Sequence, residues 1–290
     1  MPPEGPTLFL DLPPCPLEAA DAVILPLPLE KTVSYGRGTG GGPKAILDAS
    51  CQIETFDEQT LVDFERSPRL HTMDFLPVRE RVEDYLEAVR MCVAPLRDKF
   101  VVAVGGEHTL TYGAASGLID DLSELTIVQI DAHADLIDEL DRRRWSHGTV
   151  MRRLWERGCR LVQIGVRSLS REEYELAAAD ERIETFYAHQ LPQRWEELPA
   201  LLSGLRGPVY VSIDVDGLDP SVIPSTGTPQ PGGLSWAQTM AILRTLTADS
   251  TCRLLGADVV EFVPSPNPPG CDLTAAKLVV KILAFWAAGR

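Results

Sequence analysis

The chain has no closely spaced cysteine pair: its six cysteines (Cys15, Cys51, Cys92, Cys159, Cys252 and Cys271) lie scattered over 290 residues. That spacing disfavours a zinc knuckle or a disulfide framework, and a reducing cytoplasm is the expected compartment. No apolar run reaches the length of a membrane span, and no basic stretch followed by an apolar core opens the chain, so neither spanning nor export is expected. Basic residues are scarce, 27 Lys and Arg against 42 Asp and Glu, for a net charge of −15. Such a surface repels nucleic acid and anionic membranes and favours cationic ligands. There is no internal repeat and no composition shift that marks a linker. The stretch Ser34–Pro43 (SYGRGTGGGP) is rich in glycine but lacks the Gly-Lys-Ser/Thr ending of a phosphate loop. It reads as a mobile loop suited to close approach of a ligand.

What is present fits a soluble α/β protein, with 44% apolar and 24% charged residues. Its length suits one domain over residues 1–290, with a proline-rich irregular arm at 1–20. Strand-like runs are predicted at Asp21–Leu27, Phe100–Val104, Thr126–Ile130, Arg160–Gly165, Val209–Ile213 and Leu254–Val260. Between them, helices are predicted from Pro43 to Ser50, Val78 to Leu96, Thr109 to Leu118, Ser146 to Arg157, Arg171 to Ala179, Trp195 to Leu205, Trp236 to Leu246 (with Ser235 as N-cap) and Thr274 to Ala288. Strands alternating with helices imply a mostly parallel, doubly wound sheet.

The chemistry collects at strand ends. In Thr126–Asp135 (TIVQIDAHAD) an apolar run stops and delivers Asp131, His133 and Asp135 at alternate positions, which an extended chain points the same way. Alone, this cluster also suits a helix cap and a packed histidine. Two other runs end alike. Phe100–Val104 is followed by GGEHT with His108, and Val209–Ile213 by DVDGLDP with Asp214 and Asp216. In open α/β sheets the carboxyl ends of strands line the ligand crevice, so these segments can meet. Four carboxylates and two imidazoles exceed what one divalent ion can use while keeping a position open, which favours two ions bridged by shared carboxylates. An oxygen-rich set without thiolate favours manganese over structural zinc.

GGEHT, DAHAD and SIDVDGLDP, in this order at these strand ends, resemble the arginase and agmatinase family of manganese ureohydrolases. The early SYGRGTGGGPKAI and the late GADVVEFVP extend the resemblance over nearly the whole chain. It implies a three-layer α/β/α sandwich around an eight-stranded, mostly parallel sheet of the arginase and deacetylase type, assembled as a trimer or hexamer. It also implies two Mn²⁺ per chain, one on His108 and Asp135, the other on His133 and Asp216, with Asp131 and Asp214 bridging. One departure stands in Pro224–Pro229, where the family commonly carries glycine at the position of Ser225; it bears on the shape of that loop and on none of the ligands.

The resemblance further implies catalytic roles for Asp131, for Glu261 as carboxylate partner of a guanidinium, and for His147 as a proton shuttle or gate. A carboxylate pairs bidentately with planar N–H donors, and an imidazole suits transfer to a leaving amine. Glu261 also reads as a solvated loop residue, and His147 as a cap. His71 and His189 lie outside every motif, and Asp219 and Asp272 read as turn and cap residues. The segment LIDELDRRRWS after Asp135 lacks the Asn- and Ser-bearing loop expected of an arginase, and RRWSHGTVMRRL resembles the agmatinase branch. The expected substrate is therefore a small cationic guanidino-amine such as agmatine, cleaved to urea and an amine in polyamine biosynthesis. The alternatives are an arginase, a guanidinobutyrase or a guanidine hydrolase of the same family, with Arg142, Arg143 and Arg144 available to hold a carboxylate. A rival of another class is a zinc amide hydrolase of the deacetylase type, which needs one ion.

Overall fold

Strands rich in Val, Ile and Leu with no polar alternation must be covered on both faces, and the computed structural model of the chain, which describes residues 7–248, 251–264 and 270–290, shows this arrangement. Eight strands, β1 (Ala22–Leu27), β2 (Leu70–Thr72), β3 (Phe100–Gly105), β4 (Thr126–Ile130), β5 (Arg160–Val166), β6 (Ile183–Tyr187), β7 (Gly207–Asp214) and β8 (Cys252–Val260), form one sheet. Its order is β2-β1-β3-β8-β7-β4-β5-β6, and every pairing is parallel.

Alternate residues of each strand feed two separate cores, as the period of two requires. On one face, Ala22 and Ile24 of β1 and Val102 and Val104 of β3 pack with α1 (Gly42–Ser50). On the other, Val23, Leu25, Val101 and Ala103 pack with α2 (Val82–Val93), α3 (Thr111–Leu118) and α4 (Val150–Glu156). A further helix, α5 (Arg171–Ala179), lends Leu176 to this second core. Helices α6 (Leu191–Arg194), α7 (Glu197–Ser203), α8 (Trp236–Thr247) and α9 (Gly270–Ala288) complete the first face. The result is a three-layer α/β/α sandwich.

Several boundaries differ from the sequence expectation for identifiable reasons. The helix expected over Val78–Leu96 begins at Val82 and ends at Val93, where Pro95 forces a 3₁₀ turn at Ala94–Leu96. The helix expected over Trp195–Leu205 is the shorter α7, and a separate turn of helix that was not expected, α6, with Pro192 in its first turn, precedes it. The Ser146–Arg157 helix opens as a 3₁₀ turn at His147–Thr149 and stops before Gly158, whose φ is +97°. Of the N-terminal arm, residues 1–6 lie outside the described residues; Phe9 and Leu10 are buried, and the Leu10 N–H donates to Ser50 Oγ at 2.9 Å.

The topology puts the motif-bearing strands side by side. β3, β8, β7 and β4 are consecutive in the sheet, and Val104 pairs with Val259, Val259 with Ile213, and Ile213 with Ile130. The four chains therefore leave the sheet at one level and open onto one crevice.

Candidate metal centre and substrate pocket

Past Ile130 the β4 chain is held in a shape that a free loop would not keep. The Asp131 N–H donates to Ile164 O at 3.1 Å, and Asp131 Oδ1 accepts the His133 N–H at 2.6 Å. The Ala132 N–H donates to Asp216 Oδ1 at 3.1 Å, tying the second motif to the third, and Asp214 Oδ1 accepts the Asp216 N–H at 2.9 Å. This contact needs glycine at 217, because a Cβ there would lie 2.6 Å from the Asp131 nitrogen. Asp135 and Glu261 both adopt left-handed backbone, with φ of +53° and +62°. Side chains other than glycine rarely accept that conformation, and such strain gathers at functional sites.

Five of the six expected ligands converge in two triads that share Asp131. His108 Nδ1 lies 3.1 Å from Asp131 Oδ2 and 3.0 Å from Asp135 Oδ2, while His133 Nδ1 lies 3.1 Å from Asp216 Oδ2 and 3.6 Å from Asp131 Oδ1. Each triad's donor atoms fall within metal-binding reach of one another, and Asp131 belongs to both. Asp214 stands beside the first triad, its Oδ2 3.6 Å from His108 Nδ1.

The donor set fits divalent cations on two counts. Asp131, Asp135, Asp214, Asp216 and Glu261 are all buried, five acids against the imidazoles of His108 and His133 and the half-buried Arg167 guanidinium behind Asp216. In addition, His108 Nδ1 is buried and makes no aligned hydrogen bond although two carboxylate oxygens face it. Buried charge of one sign is retained only when paired or on a metal.

Without metal, the titrations are strongly displaced. Burial and the neighbouring Asp216, Asp131 and Glu261 hold Asp214 well above the usual carboxylate range, and burial together with Asp131 lifts Asp135 to about 7. Burial also holds Glu261 high, against the His108 N–H that it accepts at 2.6 Å. For His133, burial works downward, but Asp131 and Asp216 outweigh it and raise the imidazole to about 11. His108 is raised well above normal by the same balance, against Asp131 and Asp135.

His147 sits at the opposite wall of the pocket, lowered by burial and by the two ligand imidazoles. Glu107 orders it from behind: its carboxylate accepts the Lys31 and Thr32 N–H groups, each at 2.6 Å, and the Thr32 hydroxyl at 2.8 Å. Having donated to Glu107, Thr32 Oγ1 offers its lone pair to His147 Nδ1 at 3.3 Å, so that Nδ1 carries the proton and Nε2, 3.4 Å from Ser34 Oγ, is the basic nitrogen.

A cavity of about 260 Å³ opens above the ligands, walled by Ile137, Leu140 and Leu169 and reaching Glu261, His147 and Glu173. The glycine-rich segment closes one side. Glu30 accepts the Gly38 and Gly40 N–H groups at 3.0 and 2.9 Å, and the Gly36 N–H reaches Gly227 O at 3.2 Å. Ser225 leaves the Pro224–Pro229 loop anchored: the Val263 N–H bonds Ser225 O at 3.1 Å, and Thr228 Oγ1 donates to Asp216 Oδ2 at 3.1 Å.

Residues read as idle lie outside this cavity: His71 Nδ1 meets Cys15 O at 2.7 Å, His189 stacks on Tyr187, and Asp219 collects the N–H groups of Ser221, Gly232 and Gly233 in a turn. Sequence reasoning missed Glu107, Gln129, Ser212, Thr228 and Asp258. The one available signal was Asp258 itself, an acid inside the apolar run GADVV.

A parallel α/β sandwich with clustered carboxylates and imidazoles at its strand ends defines a metallohydrolase-like architecture. The chain belongs to the arginase family, whose model matches residues 20–284. It is 33% identical over 277 residues, 92% of this chain and 89% of the other, to an N(1)-aminopropylagmatine ureohydrolase of Synechocystis. It is 32% identical to an agmatinase of Pyrococcus horikoshii, over 96% of both chains. Among solved structures, it is similar to the agmatine ureohydrolase of Thermoplasma volcanium, with a TM-score of 0.84, 27% identity and coverage of 94% and 92%.

Proposed function

We propose that this arginase-family chain is a ureohydrolase that cleaves the guanidinium group of agmatine, or of a related guanidino-amine, to urea and an amine, using two manganese ions. His108 and Asp135 would hold one ion, His133 and Asp216 the other, and Asp131 and Asp214 would bridge them. The observation that carries this reading is Asp131, shared by two triads whose His108, His133 and Asp135 line the cavity that Glu261 also lines. The second triad also favours two ions over the single ion of a deacetylase-type amidase. When bound, such cations supply a nucleophile at neutral pH by acidifying water and stabilise developing negative charge.

The chain's own residues supply the rest. Glu261, anchored through one oxygen to the His108 N–H, turns its other oxygen to the guanidinium and fixes the electrophilic carbon over the ligands. His147, neutral and with Nε2 carrying no hydrogen beside the Ser34 hydroxyl, accepts a proton and returns it to the departing amine; its depressed pKa keeps it unprotonated at neutral pH. The apolar wall of Ile137, Leu140 and Leu169 accommodates an alkyl tail and excludes water.

The tail's charge follows from what the cavity lacks. No Lys or Arg lines it among the described residues, and the carboxylate it adds beyond the ligands and Glu261 is that of Glu173. Arg142, Arg143 and Arg144 do not reach it: Arg143 donates to Lys31 O and Arg144 to Glu156. A substrate carboxylate would be left unpaired, so an amine tail is favoured over arginine or guanidinobutyrate. With agmatine the amine product is putrescine, which would place the enzyme in polyamine biosynthesis, as a cytoplasmic homo-oligomer. Product analysis tests this: incubation with agmatine or aminopropylagmatine and Mn²⁺ should yield urea and the matching amine in equal amounts, and absence of urea from every guanidino-amine tried would overturn it.

A further inference from the structure

Behind His108, on the side away from the cavity, lies a chain of polar groups buried inside the sheet. Ser212 and Asp258 are cross-strand neighbours of β7 and β8, and both are fully buried. Three hydroxyls donate to the Asp258 carboxylate: Ser212 Oγ at 2.7 Å to Oδ1, and Thr111 Oγ1 at 2.7 Å and the Tyr210 hydroxyl at 3.0 Å to Oδ2. Ser212 Oγ also lies 2.8 Å from His108 Nε2. A carboxylate this deep in an apolar sheet carries a desolvation cost, and three donors on one acid are more than packing requires.

Proton counting fixes the direction of this relay. A hydroxyl has one proton to give, and Ser212 gives its proton to Asp258. Its oxygen must then accept from His108, so Nε2 keeps its hydrogen, and the proton given up when a cation binds is the one on Nδ1. Nδ1 is the atom that faces Asp131 and Asp135 without a hydrogen-bond partner. A carboxylate that orients a metal-binding imidazole through its remote nitrogen is a recurrent way of fixing the tautomer and strengthening the donor; here a serine stands between the two.

We propose that Asp258 is a positioning residue for the metal centre: acting through Ser212, it holds a proton on His108 Nε2, so that Nδ1 is the nitrogen that yields its proton to a cation, and thereby sets the affinity of the cation position that His108 shares with Asp135. This rests on the two-cation reading of the site. Asp258→Asn keeps size but reverses the relay, because the carboxamide donates to Ser212, Ser212 then donates to His108 Nε2, and the imidazole proton moves to Nδ1, where a cation must bind. Ser212→Ala interrupts the relay without touching Asp258. Thr111→Val removes one donor from Asp258 and leaves the relay whole.

The test is a calorimetric titration of the metal-depleted full chain with Mn²⁺, with thermal unfolding of the same metal-free samples. Wild type and Thr111→Val should show two binding events of similar strength to one another's. Asp258→Asn and Ser212→Ala should keep one event unchanged and weaken the other by about 10- to 100-fold, with metal-free unfolding temperatures close to that of wild type. Two full-strength events in both relay variants would overturn the proposal. So would equal weakening of both events together with a lowered unfolding temperature, the mark of a merely structural role. A single event in wild type would refute the two-cation reading instead, and the relay would then stand or fall on whether that event weakens in Ser212→Ala.

Discussion

Replacing Glu261 with glutamine tests the substrate half of the site with little change of shape. Glu261 is 8% exposed, holds a left-handed backbone and keeps one oxygen on the His108 N–H at 2.6 Å. Glutamine can keep that bond through its carbonyl oxygen, but its NH₂ then faces the cavity, and a donor meets the donors of the guanidinium. The loss is that of a charge-assisted hydrogen bond, about 1.5–3 kcal/mol, with a further cost from opposed donors. A factor of ten corresponds to about 1.4 kcal/mol, so kcat/KM for agmatine should fall by about 10² or more. Since Glu261 is not among the ligands, manganese content should match wild type. Steady-state urea release with parallel metal analysis reads both quantities. Unchanged kcat/KM would refute the pairing of Glu261 with the guanidinium, and loss of metal would make the residue a support of the centre rather than a contact for substrate.

The remaining expectations address the ligands and the protons. Asp131→Ala should remove both cations, because its two oxygens face both imidazoles; elemental analysis retaining one tight ion would contradict its bridging role. His147→Ala should lower kcat by about 10² to 10⁴ with metal content intact, and loss of metal in that variant would reveal a structural role. Metal uptake should depend steeply on pH. In the metal-free protein His133 is raised to about 11 and His108 lies well above its ordinary value, so both are imidazolium at pH 7 and must lose a proton to bind a cation. Affinity should therefore rise with pH through neutrality, with more than two protons released per chain on loading at pH 7, because the raised carboxyls of Asp214 and Asp135 give up protons as well; calorimetry in buffers of different ionisation enthalpy reads the number. Flat affinity between pH 6 and 8 would contradict these shifts.

The central strands and the ligands were legible for the same reason. Burial on both faces makes β3, β4 and β7 mostly apolar runs, so the polar motif at each end stands out, and the period of two aligns Asp131, His133 and Asp135. The edges of the sheet were not legible: β2 is three residues long, and β6 (IETFY) is half-exposed, so neither carries a strong pattern. Helix ends were blurred where proline or glycine converted a turn, at Pro95 and Gly158. The support behind the ligands was hidden by distance along the chain. Ser212 meets Asp258 only because β7 and β8 are neighbours in register, and Glu107 serves His147 only through Thr32. Local spacing contains neither relation. The arginine run Arg142–Arg144 raised a substrate carboxylate as an alternative; the ion pair of Arg144 with Glu156 and the bond from Arg143 to Lys31 O direct those two side chains to other partners.

The most direct measurement of the account as a whole is kcat/KM for urea release, with Mn²⁺ present, on agmatine, aminopropylagmatine, guanidinobutyrate and arginine. A cavity that adds Glu173 to its ligands and, among the described residues, offers no Lys or Arg should favour the amine-tailed substrates over both acids by at least about 10²-fold, the effect of leaving a buried carboxylate unpaired. Comparable values on arginine or guanidinobutyrate would contradict the amine-tail reading and leave only membership of the arginase family standing.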